Sequence, residues 1–437
     1  DNIAILYDKG KINAALIVVP NGIKRNWRNE LGIHLSDHIN YRVGIWSASP
    51  KKKEKDELDQ LSVMTDELTV LVMNIEALST VRGRDFAKSF LTRNNTLMCV
   101  DESTTIKNHS AARTKNIIKI AELAKYRRIM TGSPVTKSPL DLFSQVQFLD
   151  PWLLDQQSYY SFRARYAVIV QRSVGTHSFQ HIVKYQRLDE LQEKIQHFST
   201  RVLKSDCLDL PEKVYTKRSV SLTSEQVKAY TEMKKAAITF FEENVMTAAS
   251  VLTQMIRLHQ IICGHVKTDD GEIKSIKSNR IKELLEVLEE TNGKVIIWAV
   301  YRYDIQEIER TLGEKYGKES VATYYGDTKD NLRQSIVDRF MDAADPLRFF
   351  VGNPKTGGYG LTLTSSHTVV YYSNDYSLEV RLQSEDRAHR IGQTSKVTYV
   401  DLMADHTIDE KIVKALNAKI DLASQVMGED PKKILFG

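Results

Sequence analysis

A chain of 437 residues is too long for one ordinary domain and suits two or three, each able to bury its own core. With 42% hydrophobic and 27% charged residues it falls among soluble globular proteins, which excludes a disordered or fibrous chain. No apolar run reaches the roughly 20 residues that span a bilayer, and 61 Lys and Arg against 56 acidic residues leave a net charge of +5, which permits a polyanionic partner without requiring one.

The chain opens Asp1-Asn2-Ile3-Ala4, with neither an initiator methionine nor the regions of a signal peptide, and reads as trimmed. Short β-branched or aromatic runs predict strands at 15–19, 68–73, 97–100 and 127–131, separated by helical patterns. Lys51-Lys52-Lys53-Glu54-Lys55 reads as a solvated loop. From about 140 to 262, Leu, Phe and Tyr recur at helical spacing and predict a mostly helical region. Pro211 interrupts it, and 210–222 reads as an extended connector, because proline disfavours helix at and before itself. Asp269-Asp270-Gly271-Glu272 predicts a turn and 279–290 an amphipathic helix. Further strands are expected at 295–300, 321–325, 348–351, 368–372 and 397–402. The alternation predicts an α/β protein of two parallel-sheet lobes, divided as 1–139, 140–270 and 271–437, the middle part a helical protrusion and linker and the last part ending in a helix. Cys99, Cys207 and Cys263 are far apart, with no CxxC, so neither a disulfide framework nor a zinc site is expected; all three read as buried packing residues in a reducing compartment.

Four stretches carry chemistry. Asp101-Glu102-Ser103 follows the strand at 97–100, at the strand end where α/β proteins bind ligands. In nucleotide hydrolases a carboxylate there holds nucleotide-bound Mg²⁺, which suits Asp101, and a neighbouring acid orients the attacking water, which suits Glu102. The alternative is a helix N-terminus stabilised by acidic side chains. Met130-Thr131-Gly132-Ser133-Pro134 is a compact turn after the next strand. Asn353-Pro354-Lys355-Thr356-Gly357-Gly358-Tyr359-Gly360-Leu361 joins strand to helix with three glycines, which let backbone amides approach a phosphate or simply make a flexible loop. In Gln383 to Gln393, Arg387 and Arg390 stand three apart; on a helix they share one face and can grip a phosphate, unless the helix is only a solvated surface.

The order of these stretches resembles helicase-like ATPases of superfamily 2, and within them the SWI/SNF-type double-stranded DNA translocases, over nearly the whole chain. Ile17-Val18-Val19-Pro20 with Trp27 is similar to that family's motif Ia. Asp101-Glu102-Ser103 with Ile106-Lys107-Asn108 is similar to motif II, Thr131-Gly132-Ser133-Pro134 to motif III and Val295-Ile296-Ile297-Trp298 to motif IV. Tyr325-Gly326-Asp327, with Arg333 and Phe340 after it, also fits the pattern. Gly357 to Leu363 resembles motif V and Gln383 to Gln393 motif VI, whose His389-Arg390-Ile391-Gly392-Gln393 is the most specific element.

The resemblance implies two RecA-like lobes in tandem, with ATP and Mg²⁺ in the cleft between them and double-stranded DNA across both. It implies Glu102, Arg387 and Arg390 as catalytic residues, the arginines acting as fingers on the γ-phosphate. Asp101, Gly358, Gly360 and Gln383 would hold the nucleotide, Asp101 through Mg²⁺. Pro20, Lys107, Asn108, Thr131, Gly326, Lys355, Thr356 and Thr362 would meet nucleic acid, with Arg163, Arg165, Arg172 and Lys184 of the protrusion at 148–185 as further candidates. A monomer is expected. The family's phosphate-binding loop, ending in Gly-Lys-Thr or Gly-Lys-Ser, is absent, and 1–11 reads as the tail of the helix that would follow it. The chain as it stands is therefore expected to hydrolyse ATP poorly, and a longer parent to be a DNA-dependent ATPase in repair, recombination or replication. Its compactness favours a bacterial or viral, hence cytoplasmic, protein over a nuclear one. The alternatives are an RNA-directed helicase of the same fold and a non-catalytic nucleic-acid clamp.

Overall fold

A computed structural model describes residues 1–63, 65–174, 177–242, 248–357 and 360–427. They form two compact units, the first built chiefly on 1–170 and 182–200 and the second on 201–424.

The first unit holds five parallel strands, β1 (Ala14–Val19), β2 (Tyr41–Ile45), β3 (Leu68–Asn74), β4 (Thr96–Asp101) and β5 (Tyr126–Met130), in the order β2-β3-β1-β4-β5. A parallel sheet is covered on both faces, so its inner strands are apolar throughout. In β1, Ala14, Leu16 and Val18 pack into one core, while Ala15, Ile17 and Val19 pack into another on the opposite face. Sequence reading passes over β2 because it is the half-buried edge, with only Gly44 fully covered. Lys52–Gln60, expected in part as loop, is helical: the Glu54 carboxylate accepts from the Lys51 amide at 2.9 Å and caps the first turn.

The second unit repeats the pattern. β11 (Lys294–Trp298), β12 (Val321–Tyr324), β13 (Phe349–Gly352), β14 (Ser366–Tyr371) and β15 (Val397–Met403) are parallel in the order β12-β13-β11-β14-β15, the first lobe's order. A sixth strand, β8 (Lys213–Ser219), adds to the outer edge along the whole of β15. The supposed connector at 210–222 is thus in part a sheet edge, where Pro211, lying just before the strand, removes no ladder bond. The short strands β9 (His265–Lys267) and β10 (Ile273–Ser275) pair across the predicted turn, with Gly271 at φ +88°.

The protrusion is not helical throughout. After the helix Tyr159–Tyr166, the chain forms a hairpin of β6 (Ala167–Val174) and β7 (His177–Tyr185), whose β-branched and aromatic residues favour strand over helix. Cys99 and Cys263 are buried as expected, but Cys207 is exposed, on the short turn Lys204–Cys207 rather than in a core. Among the described residues no helix is long and apolar enough to cross a membrane.

Candidate functional site

In the first lobe, Pro20, Asp101 and Thr131 come together at one edge. Val18 pairs with Val100 and Asp101 with Met130, so the three follow the C-terminal ends of neighbouring strands β1, β4 and β5. The sheet's order reverses between β1 and β4, which is where open α/β sheets bind ligands. Asp101 ends β4 and is held from two sides. The Trp27 indole N–H donates to Oδ2 at 2.8 Å and the Glu102 amide to Oδ1 at 2.9 Å. Burial pushes the carboxyl above the ordinary range, and those two hydrogen bonds pull the other way. Each carboxylate oxygen keeps a lone pair for a further ligand.

Glu102 has left-handed backbone, φ 50° and ψ 58°. A non-glycine residue there is strained, and such strain concentrates at working sites. The turn is fixed by its neighbours: Thr105 donates to the Glu102 carbonyl from its amide at 2.9 Å and from its hydroxyl at 2.7 Å. Below it lies Gln145, fully buried on the helix Leu142–Leu149. Its Oε1 accepts from the Ser103 hydroxyl at 2.7 Å, and its Nε2 donates to the Pro134 and Asp141 carbonyls, each at 2.8 Å. Gln145 thereby ties the Asp101-Glu102-Ser103 turn to the Thr131–Pro134 turn. Nothing in the sequence marks it, because a glutamine among Leu, Phe and Val reads as one more helix position. Lys107 donates to the Thr136 hydroxyl at 2.7 Å, whereas Asn108 is exposed and receives the Ser110 amide at 3.0 Å.

In the second lobe the helix Leu378–Glu385 ends before the two arginines, so Arg387 and Arg390 lie in the turn that follows rather than on a helical face. They converge nevertheless. Nη1 of each donates to the same backbone oxygen, Leu361 O, at 3.2 Å. Arg387 Nε also reaches the Gln383 carbonyl at 2.8 Å. Gln383 itself has a buried side-chain Oε1 that finds no hydrogen-bond partner among the described residues.

The turn is braced from behind by a segment remote in sequence. Lys204 donates to Asp386 Oδ1 at 2.6 Å and to the His389 carbonyl at 3.2 Å, and His389 Nε2 donates to the Pro211 carbonyl at 2.7 Å. Burial lowers the pKa of both Lys204 and His389. Gln393 Nε2 donates to the carbonyls of Ser366 and Ala388 at 3.0 Å and of Thr364 at 3.2 Å. The histidine and glutamine of the most specific sequence element therefore hold the arginine loop in shape.

The other expected residues of this lobe follow neighbouring strands. Gly326 is exposed after β12. Lys355 and Thr356 stand in the turn Pro354–Gly357 after β13, Lys355 paired with Asp375 at 2.7 Å. Gly360 has φ +72° and Thr362 is half-buried beside Leu361. Gly358 lies outside the described residues. Gly357 has a packing reason to be glycine: a Cβ there would meet the fully buried Trp298 ring at 2.7 Å.

The sequence matches the SNF2-related domain family over residues 3–267 and the helicase conserved C-terminal domain over 277–392. It is 25% identical to an uncharacterized ATP-dependent helicase of Mycoplasma pneumoniae, over 97% of this chain and 38% of that protein. It is 23% identical to the ATP-dependent helicase fft2 of Schizosaccharomyces pombe, over 99% of this chain and 38% of the other. Against a solved SWI2/SNF2 ATPase core of Sulfolobus solfataricus in complex with dsDNA, the identity is 23% and the TM-score 0.40, covering 98% of this chain and 86% of that one. The chain spans about two fifths of the length of the curated relatives it matches. With a family match across more than half its residues, and two α/β lobes of one strand order, the chain belongs to the SNF2-related, SWI/SNF-type helicase family.

Proposed function

We propose that this chain is the core of an ATP-dependent motor that moves along double-stranded DNA, in repair, recombination or replication. The observation that carries the reading is the strained Glu102 beside Asp101 at the switch point of the first sheet. In this reading, 1–139 and 271–437 are the two motor halves, and 140–270 connects them while giving one strand to the second sheet.

The residues present fit nucleotide and metal. Asp101 keeps lone pairs for Mg²⁺ or its water, Gln383 keeps a buried orphan oxygen, and two guanidiniums are fixed in one loop. Bound MgATP supplies the phosphoryl group and neutralises part of its charge. Glu102 orients a water and takes its proton. Arg387 and Arg390 stabilise the charge that develops on the transferring group, a role worth about 10³ to 10⁵ in rate. Gly360 shapes the loop that carries Leu361, and in this reading Gly358 and Gly360 are assigned to the nucleotide. Pro20, Lys107, Asn108, Thr131, Gly326, Lys355, Thr356 and Thr362, placed after strand ends of the two sheets, meet the nucleic-acid backbone, where phosphate contacts position without reading sequence.

The test is ATP turnover, with and without duplex, by a longer form of the chain that carries a Gly-Lys-Thr or Gly-Lys-Ser loop. Stimulation by duplex DNA is expected; stimulation by RNA alone overturns the DNA reading in favour of an RNA-directed helicase. The 437 residues themselves hold no such loop, so this chain alone is expected to turn over poorly. A longer form that binds duplex yet never hydrolyses ATP would overturn the motor reading in favour of a clamp that binds without hydrolysis.

A further inference from the structure

We infer that the β6–β7 hairpin is a β-ribbon that enters a groove of duplex DNA. The inference rests on the proposed DNA-directed function and names a contact surface that none of the helicase-like motifs supplies.

Between Asp155 and Asp189 the chain has no acidic residue, yet it carries Arg163, Arg165, Arg172, Lys184 and Arg187. The structure divides these cations by role. Arg165 is spent internally, in a two-pronged pair with Glu190 at 2.7 Å that the Tyr166 hydroxyl joins at 2.9 Å. Arg172 and Lys184 are exposed on the hairpin, and among the described residues neither has a carboxylate within ion-pair distance.

The hairpin's two faces differ. Gln171 Nε2 donates to the Ser178 hydroxyl at 2.5 Å, and Ser173 lies 3.5 Å from the same hydroxyl, which puts Gln171, Ser173 and Ser178 on one face. Strand side chains alternate, so Val170, Arg172, Phe179 and Val183 share the other. Of these, Val170 is 37%, Phe179 47% and Val183 54% exposed. An isolated two-stranded ribbon is marginal in water, and this one presents apolar side chains and a cation together on one face.

A polyanion with apolar surface beside its phosphates is the partner that matches. The major groove of B-DNA admits a two-stranded ribbon, so Arg172 would reach phosphate while Phe179 and Val183 lie against sugar and base edges. The deep, narrow major groove of an RNA helix excludes such an element.

The test is binding of a fluorescently labelled mixed-sequence DNA duplex by this chain, without ATP, as a function of salt. A variant carrying Arg172→Glu and Phe179→Ser is expected to bind about tenfold more weakly, with a salt dependence shallower by about one phosphate contact. Ser173→Ala, on the other face, should bind as the parent does. Amide exchange in 168–173 and 178–184 of the unaltered chain should slow when duplex is added, which keeps the test decisive if the double variant misfolds. Parent-like binding by a folded double variant, or unslowed exchange in the duplex-bound chain, overturns the inference alone. Equal slowing by an RNA duplex, or slowing by polyglutamate and not by DNA, overturns the assignment to a DNA groove. A parent chain that binds no duplex overturns the proposed function itself.

Discussion

Glu102 shows what a side chain's chemistry costs its backbone. Its left-handed φ of 50° would suit glycine; for an L-residue the conformation costs about 1 to 2 kcal/mol. Comparing Glu102→Gly with Glu102→Ala removes the carboxylate in both and isolates the strain. The glycine variant is expected to be the more stable by about 1 kcal/mol in denaturant unfolding, and both should be inactive in a longer, loop-bearing form. Equal stability would mean that the turn relaxes in the variants. Arg390 gives the complementary case. Its guanidinium shares Leu361 O with Arg387 and, among the described residues, makes no other hydrogen bond. Arg390→Ala in that same form should lower ATP turnover about a thousandfold or more while leaving the duplex Kd within a factor of two or so. A comparable loss of binding would make it a nucleic-acid contact instead.

Among the elements, two joints decide how the loops are held. The β11–β13 joint packs Gly357 against Trp298, so Gly357→Ala forces a Cβ into a fully buried ring and should cost about 1 to 3 kcal/mol. A smaller partner restores the room: the same change combined with Trp298→Phe should cost less than the two single changes added together, as a double-mutant cycle in urea would measure. The second joint is Gln145. Gln145→Leu keeps the volume but orphans the Ser103 hydroxyl and the Pro134 carbonyl, and should lower stability by about 1 to 3 kcal/mol. Both joints were half legible. The sequence marks the two turns that Gln145 joins and the glycine that Trp298 demands, but it does not mark the contacts, because Ser103 and Pro134 are 42 and 11 residues from Gln145 and Trp298 is remote from Gly357.

For the molecule as a whole, one of the second lobe's buried ion pairs ties together segments distant in sequence. Arg280, fully buried, bonds Asp409 and also donates to the carbonyls of Tyr372 at 2.5 Å, Leu402 at 3.2 Å and Ile262 at 3.3 Å, uniting three segments distant in sequence. Burial alone would raise the Asp409 carboxyl; the Arg280 guanidinium and His259 outweigh it and hold the carboxyl well below the ordinary range. A depressed carboxyl stabilises the fold fully above its unfolded pKa, about 4, and that stability is lost as pH falls toward the folded value. The second lobe's thermal midpoint should therefore drop below about pH 4, and less steeply in Asp409→Asn. At neutral pH that variant should already be weaker by about 3 to 5 kcal/mol, since Arg280 is left buried without its counter-charge. An unchanged acid slope would show that other carboxylates govern acid unfolding.

The sequence by itself determined the family and the fold class, nine of the strands in the two large sheets, and the four stretches around Asp101, Thr131, Gly357 and Arg387, because apolar period and turn chemistry are local properties. It placed Arg387 and Arg390 together but on a helix that ends at Glu385. It could not supply β2 and β8, which are sheet edges stabilised by pairing with β3 and β15 rather than by their own patterns. Only the tertiary structure decided that Trp27 holds Asp101, that Lys204 and Pro211 brace the arginine turn, and that the 167–185 segment is a ribbon with one apolar, cationic face. Those are long-range choices, made by which buried polar atoms find partners once the sheets are assembled, and no window of sequence contains both partners.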